Sequence, residues 1–196
     1  MAKFTKIPAD TFKQLQINAG MILSEFTPAT GAFDEENQIG ATTGGITFTA
    51  TPTFSDYGED VDNCPKNTME LKRLDDVEVK CSGTFVTATT TSAKSLMAAA
   101  DIDGTDTTKV VPRRDLSAAD FKDIWIVGDY SDKNGASNGG FIAIRMMNAL
   151  STGGFQLKTA DKSKGQMAFE YTAHYSISKQ DVVPYELYIK AGTAET

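Results

Sequence analysis

One histidine, His174, and two cysteines, Cys64 and Cys81, are the residues best suited to proton transfer, nucleophilic attack or soft-metal binding. His174 falls on the polar side of an alternating segment. A lone strand histidine there is expected at a surface or an interface rather than in catalysis. Zinc needs a cluster of His and Cys ligands, and this chain offers none. Nucleophile-elbow, zinc-protease, phosphate-loop and dinucleotide glycine patterns are all missing. Asp132-Lys133-Asn134-Gly135 matches the middle of a calcium loop. Tyr130 and Phe141 stand where that loop needs an Asp or Asn and its closing Glu, so a polar hairpin tip is expected. Asp101, Asp103 and Asp106 fit no cation-binding spacing and read as a solvated loop. Arg145, between Ala143 and Met147 on one strand face, leaves two readings open: an ion pair within the chain, or a bond to a neighbouring subunit. No catalytic residue, metal or cofactor is expected.

The charge is unevenly placed. The net charge is −7, yet residues 31–76 hold ten acids (among them Asp34, Glu35, Glu36, Asp56, Glu59, Asp60 and Asp62) against three bases, while the remaining chain is balanced. Gripping nucleic acid takes a positive footprint that displaces counterions. Beyond Arg113-Arg114 the sequence has no such cluster, which argues against tight binding to DNA or RNA. No apolar run reaches the roughly 20 residues of a membrane helix. Nor does an apolar stretch follow the charged start Met1-Ala-Lys-Phe-Thr-Lys6, so synthesis in a cytoplasm is expected. The two cysteines leave a disulfide and two free thiols both open.

These residues must be carried by strands. Met167, Phe169, Tyr171, Ala173, Tyr175 and Ile177 alternate with Ala168, Glu170, Thr172, His174 and Ser176. Successive strand side chains point to opposite faces, so this reads as one long half-buried strand over 167–177. Ile46, Phe48 and Ala50 alternate with threonines until Pro52, which lacks a ladder donor and marks a strand end or an edge. Val77, Val79, Cys81 and Phe85 give a further strand over 76–90, with Gly83 as a candidate bulge. Ile124-Trp-Ile-Val127 is apolar on both faces, as in a central strand, and Trp125 reads as core. More strands are expected at 20–26, 141–147, 155–159 and 185–190. Ser92–Ala100 is the best helix, and Ser117-Ala-Ala-Asp120 has the form of a capping box. Asp101–Pro112 reads as a polar loop. The whole is a single domain, residues 1–196, with a long acidic loop at about 31–68. The class is mainly β: an antiparallel β-sandwich with one or two short flanking helices.

So many strands leave open edges, and edges not hidden in the fold invite copies of the same chain. Head-to-tail pairing of that sort closes into rings. Here the order of features resembles the major tail tube proteins of long, non-contractile phage tails. The resemblance is carried by Ile39-Gly-Ala-Thr-Thr-Gly-Gly-Ile-Thr-Phe48, the acidic Asp56-Tyr-Gly-Glu-Asp-Val-Asp62, and Met69-Glu-Leu-Lys72 leading into Val77–Thr90. Asp115–Tyr130, Gly139–Ala149 and Val182-Val-Pro-Tyr-Glu-Leu-Tyr-Ile189 continue it, so that it spans about residues 10 to 190. It implies a β-sandwich flanked by a helix, six subunits per ring, and inner strands completing an inter-subunit β-barrel. It further implies stacking into a virion tail tube, with tape measure, terminator and distal tail proteins as partners and DNA passing only transiently. A long loop between early strands would reach the next ring, and Asp34–Lys66 holds the candidates. Six copies would carry about −42, and an acidic wall does not hold phosphates as a basic one would. Residues 31–76 are compatible with the lumen or with the ring–ring contact. In the second case they need positive partners, for which Lys158, Lys162 and Lys164 are candidates, with Arg145 a further inter-subunit candidate. The alternatives are a β-sandwich binding module, such as a head decoration or receptor-binding protein, and an enzyme.

Overall fold

The computed structural model describes residues 4, 7–16, 18–133 and 139–193. Its strands are β1 (Met21–Leu23), β2 (Gln38–Gly40), β3 (Thr42–Asp56), β4 (Lys72–Phe85), β5 (Ala100–Ile102), β6 (Val110–Pro112), β7 (Lys122–Tyr130), β8 (Gly140–Ser151), β9 (Gln156–Lys158), β10 (Gln166–Thr172) and β11 (Tyr185–Lys190). One α-helix, α1 (Thr90–Leu96), lies among them. Nine strands form one antiparallel sheet in the order β2-β1-β7-β8-β10-β4-β3, with β11 beside β8 and β9 beside β10. Its two halves meet at β8, which pairs with β7 and β11 along most of its length and hands Leu150 and Ser151 to β10.

The sheet turns back on itself there, and its two halves pack face to face. Ile22, Ile124, Ile126 and Met146 from one half meet Val77, Val79, Cys81, Phe85, Phe169 and Tyr171 from the other in one buried cluster. Each such side chain stabilises the fold by about 1.5–3 kcal/mol through burial. The architecture is therefore mainly β and sandwich-like, and among the described residues the sheet does not close into a barrel. β7 is apolar on both sides for a reason. Ile124 and Ile126 enter this core, while Trp125 enters a second cluster on the outer face with Leu23, Phe26, Phe141 and Ala143.

Several expected boundaries move. The 167–177 strand stops pairing at Thr172, and although the alternation continues, its apolar cover ends at Ala173. Tyr175 instead bonds through its hydroxyl to the Val77 backbone N–H, 2.9 Å away, and Ile177 is 90% exposed. The bulge lies not at Gly83 but opposite it, at Gly44 and Gly45, both at positive φ. Gly83 serves packing. Directly paired with Phe169, it lets that ring lie across it and stack on Phe85 at 4.3 Å. A Cβ on Gly83 would stand 2.6 Å from the Phe169 ring. We expect Gly83→Ala to lower stability by about 1–3 kcal/mol through overpacking, read as a reduced denaturation midpoint at unchanged m-value.

The helix starts at Thr90, two residues earlier than expected, with Thr89 as its cap. The Thr89 hydroxyl accepts the Ser92 N–H at 3.0 Å, and the Ser92 hydroxyl accepts the Thr89 N–H at 2.9 Å. It also ends earlier, and Ala100 belongs to β5. Asp101–Pro112 is no loop but a hairpin of β5 and β6. The Ser117–Asp120 capping box is present over a 3-10 turn. The hairpin signal at Asn134-Gly135, with its partial calcium pattern, lies outside the described residues.

Candidate assembly interface

About half of the acidic segment is strand. Residues 31–68, expected as a long acidic loop, contain β2 and all of β3; 31–37 belongs to the connection from β1, and 57–68 to the connection to β4. β3 and β4 form a long hairpin with thirteen register pairs, from Thr42 opposite Phe85 to Asp56 opposite Lys72. Up to Val77 the hairpin lies on the core. Beyond it every residue of β4 is exposed, and so are Thr51 to Phe54 on β3. The hairpin therefore leaves the body as a two-stranded arm. Pro52 sits in β3 without ending it, because β3 is an edge strand and needs no outward donor.

The arm is internally tied. The Asp56 carboxylate accepts the N–H groups of Gly58 (2.9 Å) and Asn67 (2.8 Å), bonds that hold its pKa below the usual carboxylate value. Lys72 donates to the Asn67 side chain at 2.9 Å, and Ser55 donates to Asp75, the extra residue in a bulge between Leu74 and Asp76. Asp56 is therefore a turn-closing residue. Glu59, Asp60 and Asp62, at the tip, make no ion pair among the described residues. Asp34, Glu35 and Glu36 lie elsewhere, before β2 at the other end of the β2–β3 run, so the acids form two groups rather than one patch.

The arm also carries apolar side chains that the charge count hid. Phe54 and Leu74 face each other across the ladder, each about half exposed, and Tyr57, Val61 and Met69 are exposed nearer the tip. The signal for them was present: the Ile46-Phe48-Ala50 alternation continues through Pro52 to Phe54. Leu187 and Ile189 on the edge strand β11 are likewise more than half exposed.

Of the positive candidates, Lys158 lies in β9, and Lys162 and Lys164 in the turn that joins it to β10. All three are exposed and make no ion pair among the described residues. Arg145 differs. Its guanidinium donates twice to Asp123 (2.6 and 2.8 Å) and once to Glu186 (3.2 Å), and lies 5.6 Å from the Trp125 ring. The intramolecular reading is the one the structure gives, and Arg145 is already occupied within its own chain. Truncating it leaves two carboxylates side by side. We expect Arg145→Ala to cost about 1–2 kcal/mol, partial exposure holding it below the figure for a buried pair. A thermal melt at low salt checks this.

The other chemistry-bearing residues are also in use. The His174 ring lies 3.2 Å from the Asn148 carbonyl and edge-on to Phe121. Asp101 pairs with Arg113, and the Asp103 and Asp106 carboxylates cap their own turns through Thr105 and Thr108. Cys64, in the arm's connection, and Cys81 are both free. Burial pushes the Cys81 thiol up to about 12, which leaves it inert. Beside α1, in the lining of a cavity of about 120 Å³, Ser95 bonds the Tyr171 hydroxyl (2.8 Å), Asp120 accepts from Ser117 and Asp123 accepts from Arg145. Among the described residues no group of three or more His, Cys, Asp or Glu could hold a metal ion. No helix among them is long and apolar enough to cross a membrane.

These turn-capping bonds set the acid response. Bonds from Thr105 hold Asp103 down at about 2, and backbone or hydroxyl donors lower Asp56, Asp106 and Asp120. A depressed carboxylate contributes stability above its unfolded value near 4, and that contribution is lost as pH falls through the folded value. The melting temperature is therefore expected to fall between about pH 4 and pH 2. Asp103→Asn, which keeps the turn acceptor but not the charge, should flatten part of that fall.

Comparison with known proteins gives no match, either to a protein-family model or to a curated protein.

Proposed function

We propose that this protein is a structural subunit of a phage-type tail tube, assembling as hexameric rings that stack into a hollow conduit for DNA. The observation that carries the reading is the arm: a two-stranded ribbon that leaves the body with apolar side chains on its surface and unpaired acids at its tip. Exposed aromatic and aliphatic groups on a projecting ribbon contribute little to a lone copy, and they acquire a use when a second protein covers them. The outer edges of β3 and β11, unpaired among the described residues, support the same reading, since copies added side by side would continue the sheet into an inter-subunit barrel. The excess of acids fits a channel that DNA crosses without being held. On this reading the protein resides in the virion tail, and its partners are its own copies and the proteins that cap and measure the tube.

Negative-stain electron microscopy of the purified chain, over a concentration series, tests the proposal. Rings or tubes are the expected result. A discrete monomer at every concentration would overturn it and favour a β-sandwich binding module.

A further inference from the structure

Beside α1 the packing of the body is incomplete. Ile39 of β2, Ile124 of β7, Ala149 of β8 and Tyr171 of β10 line the cavity of about 120 Å³ there. Ala98 and Ala119 line it too, so three of its apolar residues are alanines and larger side chains would have filled the space. An apolar cavity of about 150 Å³ admits one benzene molecule, so this one has room for a single small ring. Thr91, Ala119 and Lys122 in its lining are exposed, which opens it to solvent. Ala98, the residue after the helix C-cap, stands at φ 59°, where glycine is the usual choice. Strained backbone of this kind is concentrated where a site is being shaped.

The charges around the cavity are not balanced. Two acids and two lysines line it, Asp120, Asp123, Lys94 and Lys122. Both acids are compensated within the chain. Asp120 takes the Arg113 guanidinium and the Ser117 N–H, and Asp123 takes Arg145 and the Asn148 N–H. The lysines are not. Lys122 makes no ion pair among the described residues, and Lys94 reaches Asp101 only at 3.8 Å, while the other oxygen of that carboxylate stands 2.6 Å from Arg113. Deeper in, the Ser95 and Tyr171 hydroxyls lie 2.8 Å apart. Their bond uses one hydroxyl hydrogen and leaves the other free to donate. What remains unspent is therefore donors and positive charge, set against an apolar floor. Small-molecule sites have this composition: mostly apolar walls with a few polar groups that fix orientation.

We infer that the cavity binds a small organic carboxylate with an apolar body, its ring or short chain against Ile124, Ala149 and Tyr171 and its carboxylate between Lys94 and Lys122. A charge-assisted bond to each ammonium orients the head, and burial of the body supplies affinity. All of these residues belong to one copy, so binding does not depend on the tube reading.

Benzoate is the probe. Saturation-transfer NMR, read on the ligand, serves for a monomer and for a larger assembly alike. At low salt, saturable binding with a Kd of about 1 mM or tighter is expected. Benzamide, which has the same shape without the charge, should bind at least tenfold more weakly. Lys94→Gln/Lys122→Gln should bring benzoate down to the benzamide level. Lys66→Gln/Lys179→Gln, which removes two exposed lysines elsewhere, should leave it unchanged. Ala149→Leu fills the space and should abolish binding of both compounds; if that variant fails to fold, the two lysine pairs decide. Benzoate that weakens equally with either lysine pair follows surface charge alone and overturns the inference. Benzamide that binds as tightly as benzoate overturns the ligand class, and the absence of saturable benzoate binding up to about 10 mM overturns the site.

Discussion

Cutting the arm back, with residues 53–76 replaced by Asn-Gly between Pro52 and Val77, is expected to leave a folded monomer that forms no tubes. The folding half of this follows from burial. Val77 is the first residue of β4 inside the core, and between Thr53 and Asp76 only Gly58 is buried, covered by Asp56, Cys64 and Leu71 of the arm itself. The deletion therefore removes no core contact, and it shortens a hairpin whose connection is already long. Loop-closure entropy favours the shorter connection, by about 0.6 kcal/mol for each halving of its length. The thermal midpoint should hold or rise slightly. The assembly half follows from what is lost: the exposed apolar strip, the tip acids and a ribbon that reaches well beyond the body along the strands. On the proposed function, sedimentation velocity with negative-stain microscopy should show a single slow species at concentrations where the full chain is expected to polymerise. A truncated chain that still makes tubes would remove the arm from the assembly contact altogether.

Phe169→Ala should do the reverse, weakening the fold and touching assembly only through it. Phe169 is 3% exposed, stacks on Phe85 at 4.3 Å, leans on Tyr171 at 5.7 Å and covers Gly83. Truncation removes the ring and leaves a cavity that a glycine on the facing strand cannot fill. A loss of about 3–5 kcal/mol is expected. At about 2–4 °C per kcal/mol for a chain of this size, the midpoint should drop by roughly 10 °C. The measurement belongs at low protein concentration, where assembly does not add its own stabilisation. A drop of only a degree or two would mean that the two halves of the sheet do not close on each other as described.

Faces were legible in the sequence, and pairing was not. The alternation at Met167–Ala173 named its buried side correctly, Pro184 marked the start of β11, and the doubly apolar Ile124-Trp-Ile-Val127 marked a central strand. What failed was anything set by a distant partner. Alternation continues through Tyr175 and Ile177, but periodicity says nothing about whether a neighbouring strand is there to bond. The arm was hidden because its two strands are separated by Gly58, Pro65 and a run of acids, which together read as loop. Its bulge at Asp75 further breaks the count of two. β5 and β6 escaped for a simpler reason: three residues each, joined by Asp-capped turns, give too short a pattern to register. Arg145 could be placed on a strand face from sequence, but its carboxylate partners come from β7 and β11 and depend on the register of both.

The six register pairs between β4 and β10 bear on how the molecule would carry mechanical load. A pull on the arm tip along the strands strains that ladder sideways, so its bonds resist together instead of opening one after another. Sliding by a single position would turn Phe169 and Tyr171 out into water, since the side-chain period is two. The smallest slip that keeps both rings inside is therefore two residues, about 7 Å. Tension below that threshold stretches the ladder elastically, and release returns it to the same register.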